Sequence, residues 1–268
     1  MKTINFKDFK KALNSLGIRK NTSCLIHASI INLGQFEDKK IENIPANIFR
    51  LVKGEIGKNG TISALSASYD YGNKKKKFDI SSSIPTHEIG YFSKFIAQRK
   101  KSLRSFNPIF NISSEGKQAK FITSQKTPTA FGEDSAWHQL YKLNSEIIFI
   151  GCDLSVCTFV RFIEFRFGVP YLYNKLFNTK ICNKKKTIFN YSSSPLRYKG
   201  STAEYDLRNF QKLLIKKKIL RISKNKKINI MAMKMQPCFK LGVQELKKNV
   251  YFFLKSKPVF KKNSNPKK

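Results

Sequence analysis

The stretch from 131 to 164, FGEDSAWHQLYKLNSEIIFIGCDLSVCTFVRFIE, constrains the fold more than any other part of the chain. Residues 147–152 form a continuous apolar run between polar residues, which indicates a strand that is covered on both faces. Before this strand, Ser135 is a suitable helix N-cap, and Trp137 and Leu140 follow it at helical spacing. A second helix is predicted from Val156 onwards. The order of helix, buried strand and helix indicates an α/β fold.

Polar side chains follow the carboxyl end of this buried strand. Asp153 and Ser155 end the strand, and the helix after them carries Thr158, Arg161 and Glu164. These three residues share one helix face, because residues three apart along a helix are neighbours. Open α/β sheets bind their ligands just beyond the carboxyl ends of their strands. The sequence therefore predicts a functional site at the start of this helix.

The net charge of +35, from 52 basic and 17 acidic residues, leaves two interpretations open. The first is a polyanionic partner, such as nucleic acid, anionic lipid or a phosphorylated small molecule. The second is compositional drift, because the abundant Lys, Asn, Ile and Phe all have A/T-rich codons. The lysines are spread along the whole chain without a nucleic-acid-binding motif, which favours the second interpretation. We therefore expect no nucleic-acid partner.

Five cysteines without a CxxC pair argue against a disulfide framework and against a zinc site, so no metal is predicted. Cys157 precedes Thr158 and could be a nucleophile, but no histidine near it in the sequence would activate it, and a buried free thiol is the expected role. The amino-terminal MKTINFKDFKK lacks the apolar core of a signal peptide. No run approaches the ~18 apolar residues of a membrane span. We expect a cytoplasmic protein without a membrane segment.

The remaining patterns predict one large domain. Helices are predicted at 203–217 and 239–254, with a short strand at 228–231 between them. Residues 255–268 are rich in lysine and contain no acidic residue, which predicts a disordered tail. No composition break marks a second domain. We therefore predict a single α/β domain over 1–254, with a mixed central sheet flanked by helices and a smaller C-terminal α+β region.

The stretch 131–164 also resembles the aminoglycoside 3-N-acetyltransferase family, whose members transfer an acetyl group from acetyl-CoA to an amine. The family pattern is approximately F-G-x-x-S-x-W-x-x-L-Y-x-L, then an apolar strand ending in G, then T-x-x-H-x-x-E. The chain matches this pattern at Phe131, Gly132, Ser135, Trp137, Leu140, Tyr141, Leu143, Gly151, Thr158 and Glu164. It departs from the pattern at the catalytic histidine, where it has Arg161.

The resemblance implies that His27, Ser29, Gly60 and Thr61 bind the cofactor. His27 and Ser29 lie in a segment similar to the family's H-x-S-L, which lines the CoA pocket. Small residues after a strand also let a ligand approach the backbone closely, although a lone histidine at a strand end can be purely structural. Gly60 and Thr61 match a G-x-x-G-T segment of the family.

Two further segments carry the resemblance. Arg104, Ser105 and Asn107 lie in a segment similar to the family's R-S-x-H-P, with Asn107 at the histidine position, and the resemblance implies that they bind the cofactor. Asn107 can donate and accept hydrogen bonds but cannot act as a base. Asp79 belongs to a Phe-Asp pair that the family has near its acceptor site, so it is a predicted substrate-binding residue.

The replacement of histidine by Arg161 leaves three interpretations of the catalytic face. In the first, activity persists, and Glu164 or a bound water takes the proton while placement supplies most of the rate. In the second, Arg161 and Glu164 form an inert i,i+3 ion pair, and the protein binds CoA or a sugar without turnover. In the third, Arg161 donates to an acidic group of a new substrate or to the thioester carbonyl. Arginine stays protonated in proteins, so Arg161 itself is not a base.

The resemblance thus implies an acetyl-CoA-dependent N-acetyltransferase whose partner is a small-molecule amine or amino sugar. Aminoglycosides are polycations, and a strongly basic protein repels them unless its cleft is acidic. A nucleotide-linked amino sugar carries phosphates and is the expected acceptor. The alternative is a catalytically impaired family member that binds CoA or a sugar nucleotide. We predict Thr158, Arg161 and Glu164 as the catalytic residues.

Overall fold

The computed structural model describes residues 3–33, 35–36, 43–73, 77–124, 127–178, 180–225 and 228–261. Its strands are β1 (Thr3–Ile4), β2 (Ser23–Ala28), β3 (Gln35–Phe36), β4 (Thr61–Leu65), β5 (Phe78–Asp79), β6 (Leu103–Arg104), β7 (Ile112–Gly116), β8 (Glu146–Ile150), β9 (Leu172–Phe177), β10 (Ile181–Asn183), β11 (Lys186–Phe189), β12 (Ser192–Arg197), β13 (Arg221–Ile222) and β14 (Ile230–Lys234). Its helices are α1 (Phe6–Asn14), α2 (Ile30–Leu33), α3 (Asn43–Ile56), α4 (Asp70–Asn73), α5 (Tyr91–Gln98), α6 (Ala119–Thr123), α7 (Ala136–Lys142), α8 (Phe159–Phe167), α9 (Arg208–Lys216) and α10 (Met235–Lys248). Short 3-10 turns cover His87–Ile89 and Leu154–Val156.

The central sheet is mixed, with the strand order β13-β14-β8-β2-β4-β7-β6 among the described residues. Strands β8, β2 and β4 are parallel to one another at its centre. The outer strands β14 and β7 run antiparallel to their inner neighbours. The predicted α/β class with a mixed sheet flanked by helices is therefore confirmed.

Strand β8 is buried on both faces, as the apolar run predicts. Ile147 and Phe149 belong to the core that the sheet forms with α6 to α10, whereas Ile148 and Ile150 belong to the core that it forms with α1, α3 and α5. All four side chains are fully buried, and each contributes about 1.5–3 kcal/mol relative to an exposed position. The chain leaves the strand at Gly151, whose φ of +66° turns it into the next segment.

Helix α7 is fixed by its cap and by its tryptophan. The Ser135 Oγ accepts a hydrogen bond of 3.2 Å from the His138 backbone N–H, as a helix N-cap should. Trp137 is fully buried, and its Nε1–H donates to the Phe110 carbonyl over 2.7 Å. Both the predicted cap and the predicted buried face are present in the structure.

The C-terminal part of the chain completes the central sheet and adds two small sheets. Strand β14 pairs with β8, while β9 pairs with β12 and β10 joins β11 to β5. Helix α10 packs closely on α8, since a Cβ at Gly242 would lie 3.0 Å from the Ile163 Cδ1. The helix predicted at 203–217 begins only at Arg208, because Tyr205 forms an isolated β-bridge with Leu254.

The structure describes residues 255–261 of the predicted disordered tail. Lys255 donates its backbone N–H to the Glu204 carbonyl over 2.9 Å, and Phe260 forms a β-bridge with Ser201. The Phe260 ring also packs edge-on against Tyr198, with 5.6 Å between the centroids. These aromatic and backbone contacts attach residues 255–260 to the fold, and residues 262–268 lie outside the described residues. No helix in the described ranges has the length and apolarity needed to cross a membrane.

Candidate active site

A cleft opens at the carboxyl ends of the parallel strands β2 and β8. It consists of two adjoining cavities of about 450 and 300 Å³, which share Tyr69, Val156 and Thr158 in their walls. A wider opening of about 490 Å³ continues from the second cavity past Tyr205. This is the position at which an open α/β sheet binds its ligand.

The first turns of α8 present the predicted catalytic face to this cleft. Thr158 and Arg161 line the cavity of about 300 Å³, and the Arg161 backbone N–H donates to the Thr158 carbonyl over 2.9 Å. Glu164 lies one turn deeper, and none of its side-chain surface is exposed. Thr158 and Arg161 therefore reach the cavity, whereas Glu164, on the same helix, does not.

Glu164 is a buried carboxylate that is surrounded by hydrogen-bond donors. The Tyr171 hydroxyl donates to its Oε1 over 2.7 Å, and the Tyr205 hydroxyl donates to its Oε2 over 2.9 Å. Arg161 Nη1 lies 3.4 Å from the same Oε2. Burial raises the pKa of Glu164 to about 7, although Arg161 and the Tyr171 hydrogen bond act in the opposite direction. The group therefore exchanges its proton near neutral pH.

Arg161 lies between the buried carboxylate and the cleft. Its guanidinium carbon is 3.9 Å from the centroid of the Tyr205 ring, and 23% of its side-chain surface is exposed. Burial lowers the pKa of Arg161, while Glu164 raises it, and an arginine stays charged in either case. Arg197 approaches the same ring at 5.6 Å. The Tyr205 ring therefore lies near two guanidinium groups, and its hydroxyl group donates to one carboxylate.

His27 and Ser29 lie together in the wall of the cavity of about 450 Å³. The His27 ring stacks on Phe149 with 5.5 Å between the centroids, and its Nε2 has no hydrogen-bond partner within the described part of the chain. Burial lowers the pKa of His27 to about 4, so the imidazole is neutral at physiological pH. A neutral imidazole beside the cavity can offer a hydrogen bond to a bound molecule.

Gly60 and Thr61 lie at the opposite edge of the sheet from His27, so the structure does not bring these predicted cofactor-binding residues together. Thr61 is the first residue of β4 and pairs with Ser23 at the start of β2, whereas His27 is near the end of β2. The Thr61 Oγ1 accepts a hydrogen bond of 2.8 Å from the Gln118 backbone N–H. A Cβ at Gly60 would lie within 2.3 Å of the Ile56 side chain, so the glycine permits helix–strand packing. The matched motif belongs to a turn of the fold.

Arg104 and Ser105 make hydrogen bonds that hold loops of the protein together. The Arg104 guanidinium donates to the Ser66 carbonyl over 2.6 Å, to the Asn111 Oδ1 over 2.9 Å and to the Ser83 carbonyl. The Ser105 Oγ accepts from the Ile112 backbone N–H over 2.8 Å. Neither residue lines the two cavities of the cleft.

Asn107 and Asp79 are likewise engaged within the protein. Asn107 is buried, and its amide donates to the Ser193 carbonyl over 3.0 Å while its Oδ1 accepts from Phe110. The Asp79 carboxylate accepts from the Lys185 backbone N–H over 2.9 Å and fastens β5 to the turn after β10. Burial is the largest single effect and raises the pKa of Asp79, but the hydrogen bonds from Ser81, Lys185 and Lys184 together outweigh it and lower the pKa to about 2. The structure does not bring either side chain to the cleft.

The thiols take no part in the cleft chemistry that the structure supports. Burial raises the pKa of Cys157 to about 12, so the thiolate is not available near neutral pH. Within the described ranges, no group of three or more His, Cys, Asp or Glu side chains could hold a metal ion. The polar side chains in the walls of the two cavities include hydroxyl groups, imidazoles, the Arg161 guanidinium and the Glu88 carboxylate, with Glu164 buried behind them.

Sequence reasoning missed Tyr171 and Tyr205. Tyr171 is fully buried and lies seven residues after Glu164, while Tyr205 comes from a segment 41 residues after it. The G-V-P-Y run that contains Tyr171 is visible in the sequence, but no spacing rule joins Tyr205 to α8. Only the fold brings the two hydroxyl groups to one carboxylate.

A comparison with protein families matches residues 25–247 to the model for aminoglycoside 3-N-acetyltransferase. The chain belongs to the aminoglycoside 3-N-acetyltransferase family. The resemblance found in the sequence is thereby confirmed. No curated protein matches the chain significantly.

Solved structures agree with this family membership at the level of the fold. AAC-IIIb in a binary complex with CoASH has a TM-score of 0.76 at 18% identity, with 96% of this chain and 100% of that chain covered. AAC(3)-IVa, solved as the apoenzyme, has a TM-score of 0.74 at 18% identity, with coverage of 96% and 93%. AAC-VIa bound to sisomicin has a TM-score of 0.76 at 13% identity, with coverage of 92% and 98%.

Alanine at Gly151 is expected to destabilise this family member more than alanine at Gly168. Both glycines have positive φ, so both variants meet the ~1–2 kcal/mol cost of a left-handed residue. A Cβ at 151 would also lie 2.6 Å from the Ser29 carbonyl oxygen and 2.8 Å from the Leu33 Cγ, whereas one at 168 meets no atom within 4 Å. We expect Gly151→Ala to lower the free energy of unfolding, measured by urea denaturation, by about 1–3 kcal/mol more than Gly168→Ala does. Equal losses would show that the turn beside Ser29 has room to adjust.

Proposed function

We propose that the protein is an acetyl-CoA-dependent N-acetyltransferase that acts on an amino sugar, and that this sugar is nucleotide-linked. The observation that supports catalysis best is Glu164, a fully buried carboxylate with a pKa near 7 beneath the cleft. Acyl transfer to an amine needs a proton acceptor, placement of both substrates and donors for the carbonyl oxygen. The residues around Glu164 can supply the first and the third of these.

The cavity of about 450 Å³ is the proposed place of the acetyl donor. The related AAC-IIIb was solved with CoASH, which favours CoA as the carrier here. His27, whose Nε2 has no hydrogen-bond partner among the described residues, and Ser29 both lie in this wall. Ile31 and Tyr91, exposed by 79% and 60%, form an apolar rim suited to the pantetheine arm. The donor supplies the activated acetyl group, and these residues orient it.

The charges around the second cavity favour an anionic acceptor. Arg161 lines this cavity, and the Arg197 guanidinium carbon lies 5.6 Å from the Tyr205 ring centroid. Glu164 is buried behind the cavity, and Glu88 belongs to the wall of the first cavity. The wall of the wider opening contains three carboxylates, of Asp153, Glu204 and Asp206, and three basic side chains, of Arg208, Lys212 and Lys255. Asp206 and Glu204 are each paired with a basic residue, over 2.6 and 3.4 Å. A polycationic amine therefore meets no surplus of carboxylate among the described residues. A sugar linked to a diphosphate meets guanidinium groups that suit phosphate.

One observation favours a second candidate function. Arg161 and Glu164 are close enough for an ion pair, at 3.4 Å, and such a pair neutralises the group that would accept the proton. A protein with this pair locked would bind acetyl-CoA or a sugar nucleotide without turnover. The raised pKa of Glu164 and its two phenol partners favour the enzyme over this binding protein.

The kcat/KM for acetyl transfer to UDP-glucosamine is expected to be at least ~10-fold higher than for free glucosamine or kanamycin. A tenfold ratio corresponds to about 1.4 kcal/mol, which two contacts between phosphate and guanidinium can supply. Release of the CoA thiol, followed with a thiol reagent at low salt, measures all three rates. Glucosamine 1-phosphate is the matched control for charge, and its rate should lie between those of the other two sugars.

Isothermal titration with acetyl-CoA accompanies these rates. Binding together with turnover of UDP-glucosamine supports the proposed function. Binding without turnover of any amine supports the second candidate. Absence of binding at millimolar acetyl-CoA overturns both, and faster acetylation of kanamycin than of UDP-glucosamine overturns the nucleotide-linked acceptor.

A further inference from the structure

We propose that Tyr205 is a catalytic residue that passes the proton of the acceptor amine to Glu164, an inference that rests on the proposed function. Within the described part of the chain, the side chains of Arg161, Tyr171 and Tyr205 contact the Glu164 carboxylate. Tyr171 is fully buried, and Arg161 is a permanent cation. Tyr205 combines a hydrogen bond to the carboxylate with a position in the cavity wall.

A path through Tyr205 is needed because Glu164 has no exposed side-chain surface. An amine in the cavity of about 300 Å³ can meet Thr158, Arg161 and Tyr205 in its wall, whereas the carboxylate lies behind them. Tyr205 is partly exposed and also lines the wider opening of about 490 Å³. A phenol both accepts and donates a hydrogen bond, so one hydroxyl group can receive a proton while it gives another away.

Tyr205 is also held firmly enough for this role. Its backbone forms a β-bridge with Leu254, and the Asp206 backbone N–H donates to the Phe253 carbonyl over 3.0 Å. The Arg161 guanidinium lies 3.9 Å from its ring centroid. This cation–π contact helps to hold the ring beside Glu164.

The proposed step moves one proton from the amine to the CoA sulfur by way of Tyr205 and Glu164. The neutral amine bonds to the carbonyl carbon of the acetyl thioester, and the C–S bond breaks. Tyr205 Oη takes one amine proton while its own hydroxyl proton moves to Glu164 Oε2. Glu164 then returns the proton through Tyr205 to the departing CoA sulfur, which leaves as a thiol. The products are the N-acetyl amide and CoA, and Glu164 is a carboxylate again.

The variants Tyr205→Phe and Tyr171→Phe test this proposal as a matched pair, because each removes one phenol from Glu164. Tyr205→Phe is expected to lower the plateau of kcat for UDP-glucosamine by about 10-fold, the lower range of general acid–base effects, while acetyl-CoA affinity stays within about 2-fold. Tyr171→Phe removes a hydrogen bond that lowers the pKa of Glu164. It should therefore move the acidic limb of the pH–rate profile to higher pH and keep more of the plateau than Tyr205→Phe does.

A second readout does not depend on turnover. The protonated-carboxyl band of Glu164 in infrared difference spectra, assigned by its loss in Glu164→Gln, should titrate at higher pH in both phenylalanine variants. An unchanged titration in Tyr205→Phe overturns the contact on which the proposal rests. If the parent protein binds acetyl-CoA but transfers no acetyl group, both the proposed function and the role of Tyr205 are wrong. If the parent is active and Tyr205→Phe keeps its plateau, only the role of Tyr205 is wrong.

Discussion

Replacing Glu164 with glutamine is expected to lower kcat for acetyl transfer by about 10²- to 10⁴-fold, the usual contribution of a general base. Glutamine keeps the size of the side chain and can still accept from the Tyr171 hydroxyl, which donates over 2.7 Å in the parent protein. It has no group that takes up the amine proton. Steady-state rates with acetyl-CoA and UDP-glucosamine measure the loss, and calorimetric titration shows whether acetyl-CoA still binds.

The control for this variant is Glu133→Gln, which removes an exposed carboxylate that lies 3.7 Å from Arg166. We expect this variant to keep the parent rate. Glu164→Asp withdraws the carboxylate by one methylene group and should fall between the parent and the glutamine variant. Equal rates in the parent and in Glu164→Gln would remove Glu164 from the mechanism.

The same substitution should change how stability depends on pH. The folded-state pKa of Glu164 is raised from 4.5 to about 7, so the folded protein holds this proton more tightly than the unfolded chain does. The contribution of Glu164 is therefore fully present below pH 4.5 and is lost as pH rises through about 7, by an amount of roughly 3 kcal/mol. Glu164→Gln has no such proton. Its free energy of unfolding, measured by urea denaturation, should fall less than that of the parent between pH 5 and pH 8.

Replacing Arg161 with histidine is expected to raise acetyl transfer by at least ~10-fold, a floor below the usual general-base effect. The family pattern has histidine at this position, and an imidazole with a pKa near ~6.5 suits proton transfer around neutral pH. The substitution also removes the cation that lies 3.4 Å from the Glu164 Oε2, so the carboxylate becomes free to orient the imidazole. Initial rates with acetyl-CoA and UDP-glucosamine at pH 7.5 measure the gain.

Arg166→His is the matched control, because Arg166 lies on the same helix with 33% of its side chain exposed and should give the parent rate. Adding Glu164→Ala to Arg161→His should remove most of the gain. A lower rate in Arg161→His than in an active parent would contradict this prediction and show that the guanidinium, as a contact of the anionic acceptor, contributes more to the rate than the new imidazole does. No activity in either form, with acetyl-CoA still bound, would support the binding protein.

The predictable parts of the site are those that lie close together in the sequence. The apolar run before Gly151 predicts strand β8, and residue spacing places Thr158, Arg161 and Glu164 on one helix. Local patterns carry this information, because helix and strand periods are fixed by backbone geometry. The same patterns say nothing about burial depth, so the sequence does not separate Glu164 from its two neighbours on α8.

Several residues of the matched motifs lie away from the cleft and make contacts within the fold. Gly60 and Thr61 begin β4, and the start of a parallel strand lies at the edge opposite to the end of its neighbour. Arg104 donates to three loops of the fold and lines a separate cavity of about 800 Å³, so its predicted cofactor role stays a prediction. Tyr205 was assigned to a helix by its spacing, but its β-bridge to Leu254 keeps it extended. A β-bridge between residues far apart in the chain produces no local sequence pattern from which it could be predicted.

The alternation of β8 between two cores also sets the dimensions of the cleft. If β8 shifted by one residue against β2, each of its side chains would face the opposite side of the sheet. Phe149 would then enter the core that now contains Ile148, and Ile148 would enter the core that now contains Phe149. The pairing of Ala28 with Ile150 is therefore fixed by hydrophobic sorting, and with it the separation of Ser29 from Gly151. A slip would displace the two by about 3.3 Å, more than the tolerance of a reacting pair of molecules. The register between β2 and β8 therefore fixes the separation of Ser29 from Gly151 at the cleft, and no contact within the cleft is needed to set it.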